Sequence, residues 1–442
     1  MTRLSNQRAE QMTVPALVKI LCVFGAMLLL IRLRAALGLV LILGGVAVSA
    51  WAGHGPAAIA IQLAGALRSS SLWLLLLITM VIVELGRFVA AEHNAAAIMQ
   101  AARRWGGRHG RAASLMTIPA VLGLIPVPGG ALFSAPFVHR LTGDAEQTAE
   151  WKATTNYWFR HVWEYWWPLY PVTILTLSIF DLPTWQYIFV QFPLTFATIG
   201  AGYFWLVRPH LETLKDAEPP PAETPRRVWL VFASLGLVLC CALLLPRPLQ
   251  HFAPQLGGQS AKLIAILIGL AVALGLVAFA EKPGQRPVPF RGLFKRKTLN
   301  ILFSLAGVLI FKHMMEQSGL LPEAAEDLAR SGISPWLIIT ALPFIAGLVT
   351  GIALGFAGTA FPLVAGLVAD PAVNLPLLST IVLCFGAGYA GMMLSPVHLC
   401  LILTRDYFSA AFGGTYRHLV PCVLTVFAAV VVLHFALRTA GF

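Results

Sequence analysis

Charged side chains are scarce in this sequence. Asp, Glu, Lys and Arg make up 11% of its 442 residues, less than half of the roughly 25% carried by soluble globular domains. With 58% hydrophobic residues and a mean hydropathy of +0.78, that shortage excludes a string of water-soluble domains and predicts an integral membrane protein. Acid is scarcer than base: 19 Asp and Glu against 31 Lys and Arg leave a net charge of +12. In a soluble protein that excess would suggest nucleic acid. Here the basic residues gather in a few loops between apolar runs, the positive-inside pattern of a polytopic chain, and no nucleic-acid partner is expected. Paired cysteines are missing as well. Cys22, Cys240, Cys241, Cys384, Cys400 and Cys422 all fall inside apolar stretches, without the spacings of zinc sites, haem attachment or a disulfide framework, and read as small buried hydrophobes. There is no phosphate-cradling loop, zinc-type His-Glu-His helix or serine nucleophile elbow. Glu164 is the only acid well inside a span, so the paired groups of an intramembrane protease are absent. The sequence predicts neither an enzyme nor a resident metal or cofactor.

What is present is a series of apolar runs of about 20 residues, the length a spanning helix needs. Ten lie near 15–31, 35–51, 71–90, 157–180, 185–207, 227–246, 261–280, 298–318, 377–402 and 417–437. No cleaved leader is expected, because Arg32 and Arg34 follow the first run and a second run of full length follows them. Two further stretches, 114–140 and 335–368, carry too many Pro and Gly residues to be single helices. Each predicts two half-helices meeting at a Gly-rich tip, a re-entrant hairpin, because broken backbone at membrane depth survives only beside protein or a wet cavity.

The two halves repeat. Gly129-Gly130-Ala131-Leu132-Phe133-Ser134-Ala135-Pro136 lies 226 residues before Gly355-Phe356-Ala357-Gly358-Thr359-Ala360-Phe361-Pro362, and Pro168 lies 228 before Pro396. The second and third runs precede the seventh and eighth by 226 and 227 residues. A unit of five spans and one hairpin crosses the membrane an odd number of times, so its copies have opposite orientation. The expected fold is an all-α membrane protein of about ten transmembrane helices plus two re-entrant hairpins in an inverted-topology repeat. Residues 1–207 form the first repeat, 208–226 a Pro-rich cytoplasmic linker, and 227–442 the second repeat. Arg103, Arg104, Arg108 and Arg111, and likewise Lys282, Arg286, Arg291, Lys295, Arg296 and Lys297, fall on one side of this plan, whereas Glu323, Glu326, Asp327 and Arg330 fall on the other. The basic side is cytoplasmic by charge, which puts both termini outside the cell.

In such repeats a solute binds near the midplane, where broken helices present unpaired backbone groups. The candidate binding residues at the tips are Pro128, Gly129, Gly130 and Ser134 in the first copy and Gly355, Gly358 and Thr359 in the second. Gly391, Ser395 and His398 flank the break at Pro396, and Asn156, Arg160, His161 and Glu164 belong to the polar, Trp-rich run ahead of Pro168. Arg160 and Glu164 are four apart, so an intrahelical ion pair is available. Arg160 suits an anion, and Glu164 or His161 suits a coupling proton. The same run also reads as the interfacial end of a helix, its tryptophans forming an aromatic belt and Arg160 snorkelling outward. Glu84 with Arg87, the pair Lys312 and His313, and Arg405 with Asp406 read as structural or capping groups.

The stretch Pro128-Gly129-Gly130-Ala131-Leu132-Phe133-Ser134-Ala135-Pro136, taken with Asn156-Tyr157-Trp158-Phe159-Arg160-His161-Val162-Trp163-Glu164-Tyr165-Trp166-Trp167-Pro168-Leu169-Tyr170-Pro171, resembles the prokaryotic membrane family called domain of unknown function 401 over nearly the whole chain. That family is grouped with the ion transporter superfamily, which also holds dicarboxylate, citrate, gluconate and arsenite carriers. The resemblance implies ten or eleven spans, two oppositely oriented hairpins, two broken helices, a homodimer-forming scaffold and elevator-type movement. Neither tip carries the Ser-Asn-Thr triplet of the Na⁺/dicarboxylate branch, so the coupling ion stays open between Na⁺ and H⁺. The expected function is ion-coupled transport of a small, anionic solute across the cytoplasmic membrane. A channel-like pathway and a membrane enzyme acting on lipid-linked substrates are the alternatives.

Overall fold

The computed structural model describes residues 14–89, 91–124, 130–143, 147–214, 225–280, 296–371 and 373–442. Among the described residues there are helices and connections and no β-strand, as expected where little water is available to satisfy an open sheet edge. The first half runs α1 (Ala16–Arg32), α2 (Leu37–Trp51), α3 (Pro56–Arg68), α4 (Ser70–Val89), α5 (Glu92–Gly106), α6 (Gly110–Gly123), α7 (Ala131–Thr142), α8 (Ala149–Arg160), α9 (Pro171–Ile179) and α10 (Thr184–Gly202). The second half runs α11 (Arg226–Leu244), α12 (Pro246–Phe252), α13 (Gly258–Ala280), α14 (Arg296–Gln317), α15 (Leu320–Ser331), α16 (Pro335–Thr350), α17 (Ala353–Ala369), α18 (Leu377–Met393), α19 (Leu399–Phe408) and α20 (Phe412–Thr439).

Among the described residues six helices, α4, α10, α11, α13, α14 and α20, are long and apolar enough to cross a membrane. This is fewer than the ten apolar runs, for reasons that differ from run to run. α2 has 15 residues, or about 22 Å at 1.5 Å per residue, short of a ~30 Å hydrocarbon core. The run 157–180 is not one helix: α8 stops at Arg160 and α9 starts at Pro171. The run 377–402 divides likewise between α18 and α19. Proline keeps each run from continuing as one helix, because Pro168 and Pro396 cannot donate an intrahelical bond and disfavour helix in the residue before them; the end of α8 at Arg160, eight residues ahead of Pro168, lies beyond its reach. Four helices were not expected, among them the short α12 that follows α11. α3 is opened by Pro56 at its first position, while α5 and α15 are amphipathic and too charged to register as apolar runs.

The order of elements repeats along the chain. α4 and α14 begin 226 residues apart (Ser70 and Arg296), and α9 and α19 begin 228 apart (Pro171 and Leu399). Packing partners repeat as well: α2 lies on α14 as α13 lies on α4, and α7 lies on α19 as α17 lies on α9. α10 and α20 pack on each other. The tightest of these contacts depend on glycine, which lets two helix backbones touch. A Cβ at Gly307 would lie 2.6 Å from the Cα of Gly38 across the α2–α14 contact, and a Cβ at Gly391 would run into the Phe344 carbonyl oxygen where α18 meets α16.

Candidate functional site

α8 starts with the Thr148 side chain accepting a bond from the Trp151 amide at 3.2 Å, a standard N-cap. After Arg160 the chain coils through short turns, with Glu164 N donating to His161 O at 3.3 Å, Trp167 N to Trp163 O at 3.1 Å and Tyr170 N to Trp167 O at 3.0 Å. Pro171 then restarts the helix. In the second half, Ser395 N donates to Met392 O at 3.1 Å and His398 N to Ser395 O at 3.2 Å before α19 begins. The two breaks meet at a cavity of about 370 Å³. Arg160, His161, Glu164 and Tyr170 line it from the first break, Met392, His398 and Cys400 from the second, Gly351 and Ile352 from the α16–α17 connection, and Asn300 and Ser304 from α14.

The backbone ends around this cavity are treated unequally. Helix carboxyl ends leave unpaired carbonyls and amino ends leave unpaired N–H groups. Here side chains cap the carbonyls. The indoles of Trp163 and Trp167 donate to the carbonyls of Ala120 and Leu124 at 2.8 and 2.9 Å, and the Tyr170 hydroxyl donates to Gly123. Tyr157 and Tyr416 donate to Met393 and Leu394 at 3.1 and 2.8 Å, Tyr389 to His161 O at 3.0 Å, and Ser395 to Leu348 O at 2.7 Å. By contrast α9, α17 and α19, whose first residues Pro171, Val172, Ala353, Leu354, Leu399 and Cys400 line the cavity, have no side-chain cap. Three amino ends therefore offer N–H groups and positive dipole to the space between them.

The tryptophans thus have a structural task and do not form a lipid-facing belt: Trp158, Trp166 and Trp167 are buried. Nor does Arg160 snorkel, being 2% exposed. Its Nη1 donates to the Tyr170 hydroxyl at 3.4 Å. The helical four-residue register between Arg160 and Glu164 is lost because α8 ends at Arg160, and Glu164 Oε1 instead lies 3.9 Å from His161 Nε2. Replacing Trp167 by Phe is expected to lower stability by about 1–3 kcal/mol, the cost of a buried carbonyl left without a partner. Thermal unfolding of the detergent-solubilised variant checks this, and an unchanged transition would show that the Leu124 carbonyl needs no donor.

Of the residues singled out in the sequence, Arg160, His161, Glu164 and His398 line the cavity. Pro128 and Gly129 lie outside the described residues. Gly130 precedes α7, and the Ser134 hydroxyl donates to Ala131 O at 3.2 Å. Asn156 Nδ2 donates to the same oxygen at 2.8 Å, tying α8 to α7. Thr359 donates to Gly355 O within α17 at 2.7 Å. A Cβ at Gly355 would meet the Thr350 side chain, one at Gly358 the Val308 side chain, and Gly391 faces α16, so these three glycines serve packing. The glycine that does line the cavity is Gly351, with φ +62° and room for no side chain beside His398 N, 2.8 Å from its Cβ position. Asn300, Ser304 and Cys400 were also missed. The first two are polar, four apart and on one face of an apolar helix, a signal available in the sequence. Glu84 and Arg87 pair at 3.2 Å, Lys312 donates to Ser178 O at 2.9 Å, and Arg405 pairs with Asp406.

Comparison with protein families finds that a family model described as "Protein of unknown function (DUF401)" matches residues 13–219 and 253–436. No curated protein matches the chain.

Proposed function

The chain belongs to the DUF401 family of helical, membrane-type proteins, and on that footing we propose that it is a secondary transporter of a small anionic solute. The observation that carries the reading is the buried guanidinium of Arg160 on a cavity into which three uncapped helix amino ends open. Fixed charge costs heavily in an apolar surrounding and by default marks a functional site. A planar, always protonated guanidinium with backbone N–H groups suits a carboxylate or oxyanion. On this reading the chain is an inverted repeat of 1–207 and 227–442 in the cytoplasmic membrane, with both termini outside. The helix pairs α6–α7 and α16–α17 are its re-entrant hairpins, and Na⁺ or H⁺ is the coupling ion.

Two experiments test it. Purified protein is screened by thermal unfolding against carboxylates, phosphate, sulfate and other oxyanions, with and without Na⁺ and across pH. An anion that binds only the folded state stabilises it by about 2.7 kcal/mol at a hundred times its Kd, so one class of anion is expected to raise the transition reproducibly. In proteoliposomes, unlabelled anion inside is expected to accelerate uptake of labelled anion, the counterflow of a carrier. A panel without any shift removes the anion, and flux indifferent to solute on the far side removes the carrier.

A further inference from the structure

The wall of the cavity formed by the two breaks carries a second chemistry that anion binding does not use. One ligand atom from each of His161, His398 and Cys400 lies within 4.8 Å of the other two, and all three residues are buried. The imidazole rings stand 5.0 Å apart at 81°. His161 Nδ1 is 2.6 Å from the Tyr157 carbonyl oxygen. A carbonyl only accepts, so Nδ1 carries a proton, and in the neutral ring Nε2 presents a lone pair. That lone pair faces Glu164 Oε1 at 3.9 Å, two acceptors across a gap. Glu164 Oε2 and His398 Nδ1 are buried with no hydrogen-bond partner, and the two residues are 8% and 6% exposed.

We propose that these groups bind a transition-metal dication of the zinc class, with His161 Nε2, His398 and the Cys400 thiolate as ligands and the Glu164 carboxylate as the fourth. With the ring neutral and the carboxyl ionised, the facing lone pairs repel until a cation, a proton or a metal ion, stands between them. Two imidazole nitrogens and one sulfur select a borderline-soft ion over Mg²⁺ or Ca²⁺, which want oxygen. The thiolate and carboxylate together neutralise a dication, leaving Arg160 its charge. In a tetrahedral site with bonds of about 2.0–2.3 Å the ligand atoms stand about 3.3–3.8 Å apart, so the atoms of His161, His398 and Cys400, within 4.8 Å of one another, close by about 1 Å, and Glu164, which lies outside that group, turns in by side-chain rotation to complete the set. The Nδ1–H of His161 held by a carbonyl is the outer-shell bond that fixes a metal-binding imidazole. Because His161 and Glu164 belong to the first break and His398 and Cys400 to the second, the ion would tie the two breaks together. The inference goes beyond anion transport and does not depend on it.

The test uses the full-length protein in detergent, stripped with a chelator and reloaded with Co²⁺ or Zn²⁺. One ion per chain by elemental analysis is expected, and for Co²⁺ a thiolate-to-metal charge-transfer band. Cys400→Ser is expected to abolish the band and weaken Zn²⁺ binding at least 100-fold, and His398→Ala to weaken it comparably. Cys384→Ser, buried in α18 away from the cluster, keeps both. Each variant is first shown to be monodisperse and to unfold cooperatively without metal. Should Cys400→Ser fail that check, X-ray absorption of the cobalt-loaded wild type decides, by the presence or absence of a sulfur neighbour. No bound ion, a bound ion without sulfur, or undiminished binding in a folded Cys400→Ser overturns the proposal. An anion-induced stabilisation of the stripped wild type, measured alongside, shows separately whether the anion site stands.

Discussion

Arg160→Ala is expected to abolish both the anion-induced rise in thermal stability and counterflow in proteoliposomes. Removing one partner of a buried, hydrogen-bonded charge pair costs about 2–5 kcal/mol, which is thirtyfold or more in affinity. Arg160→Lys keeps the charge but not the planar fork, and at a bidentate site that exchange is not conservative, so an intermediate loss is expected. The readouts separate folding from binding. Arg160 also donates to Tyr170 within the turn that joins α8 to α9, so the alanine variant has a lower transition without ligand. What must vanish is the increment the anion adds. An Arg160→Ala protein whose transition still rises with the same anion to the same extent removes this residue from the site.

Gly391→Ala is expected to be among the most damaging single methyls at the described glycines. At that position a Cβ would collide with the Phe344 carbonyl oxygen and lie 3.0 Å from the Leu348 amide, and both obstacles are backbone. No rotamer change relieves them, so α16 and α18 must separate along their glycine seam. Overpacking a core costs about 1–3 kcal/mol when side chains can give, and the upper end or more is expected here. Gly275→Ala in α13, whose Cβ position meets nothing within 4 Å, is the matched control. It is expected to leave the transition unchanged or to raise it slightly, because alanine favours helix by about 0.8–1.0 kcal/mol. Equal transitions for the two variants would show that the contact between α16 and α18 yields to a methyl without cost.

The Gly391 case also shows what a sequence can and cannot disclose. The pairing of Pro168 with Pro396 announced that two helices are interrupted and that the interruptions correspond. Proline acts through its own backbone, so its effect is legible locally. The place where α8 stops was not, because the chain leaves helix at Arg160 in response to partners distant in sequence: Trp163 and Trp167 are held by carbonyls of α6. Arg160, His161, Glu164 and His398 were legible as ionisable groups in apolar surroundings. Which glycines serve the site was not, because a glycine that admits a ligand and one that admits a neighbouring helix look alike. Gly351 lines the cavity whereas Gly355, Gly358 and Gly391 serve contacts elsewhere in the protein, a distinction of place that only the packed backbone carries. Cys400 escaped notice for a similar reason. Its sequence surroundings are those of a small apolar residue, and its histidine neighbours come from two different breaks.

The unequal capping of the helix ends has a consequence for how the cavity responds to its surroundings. A side-chain cation can be deprotonated, acetylated or substituted, and its field changes accordingly. A peptide dipole cannot. The N–H groups at the starts of α9, α17 and α19 carry permanent partial charge that does not titrate, and no one substitution silences all three, since each belongs to a separate stretch of chain. Their background of positive potential therefore persists across acidity and through mutation, whatever the charge of the ionisable groups beside it.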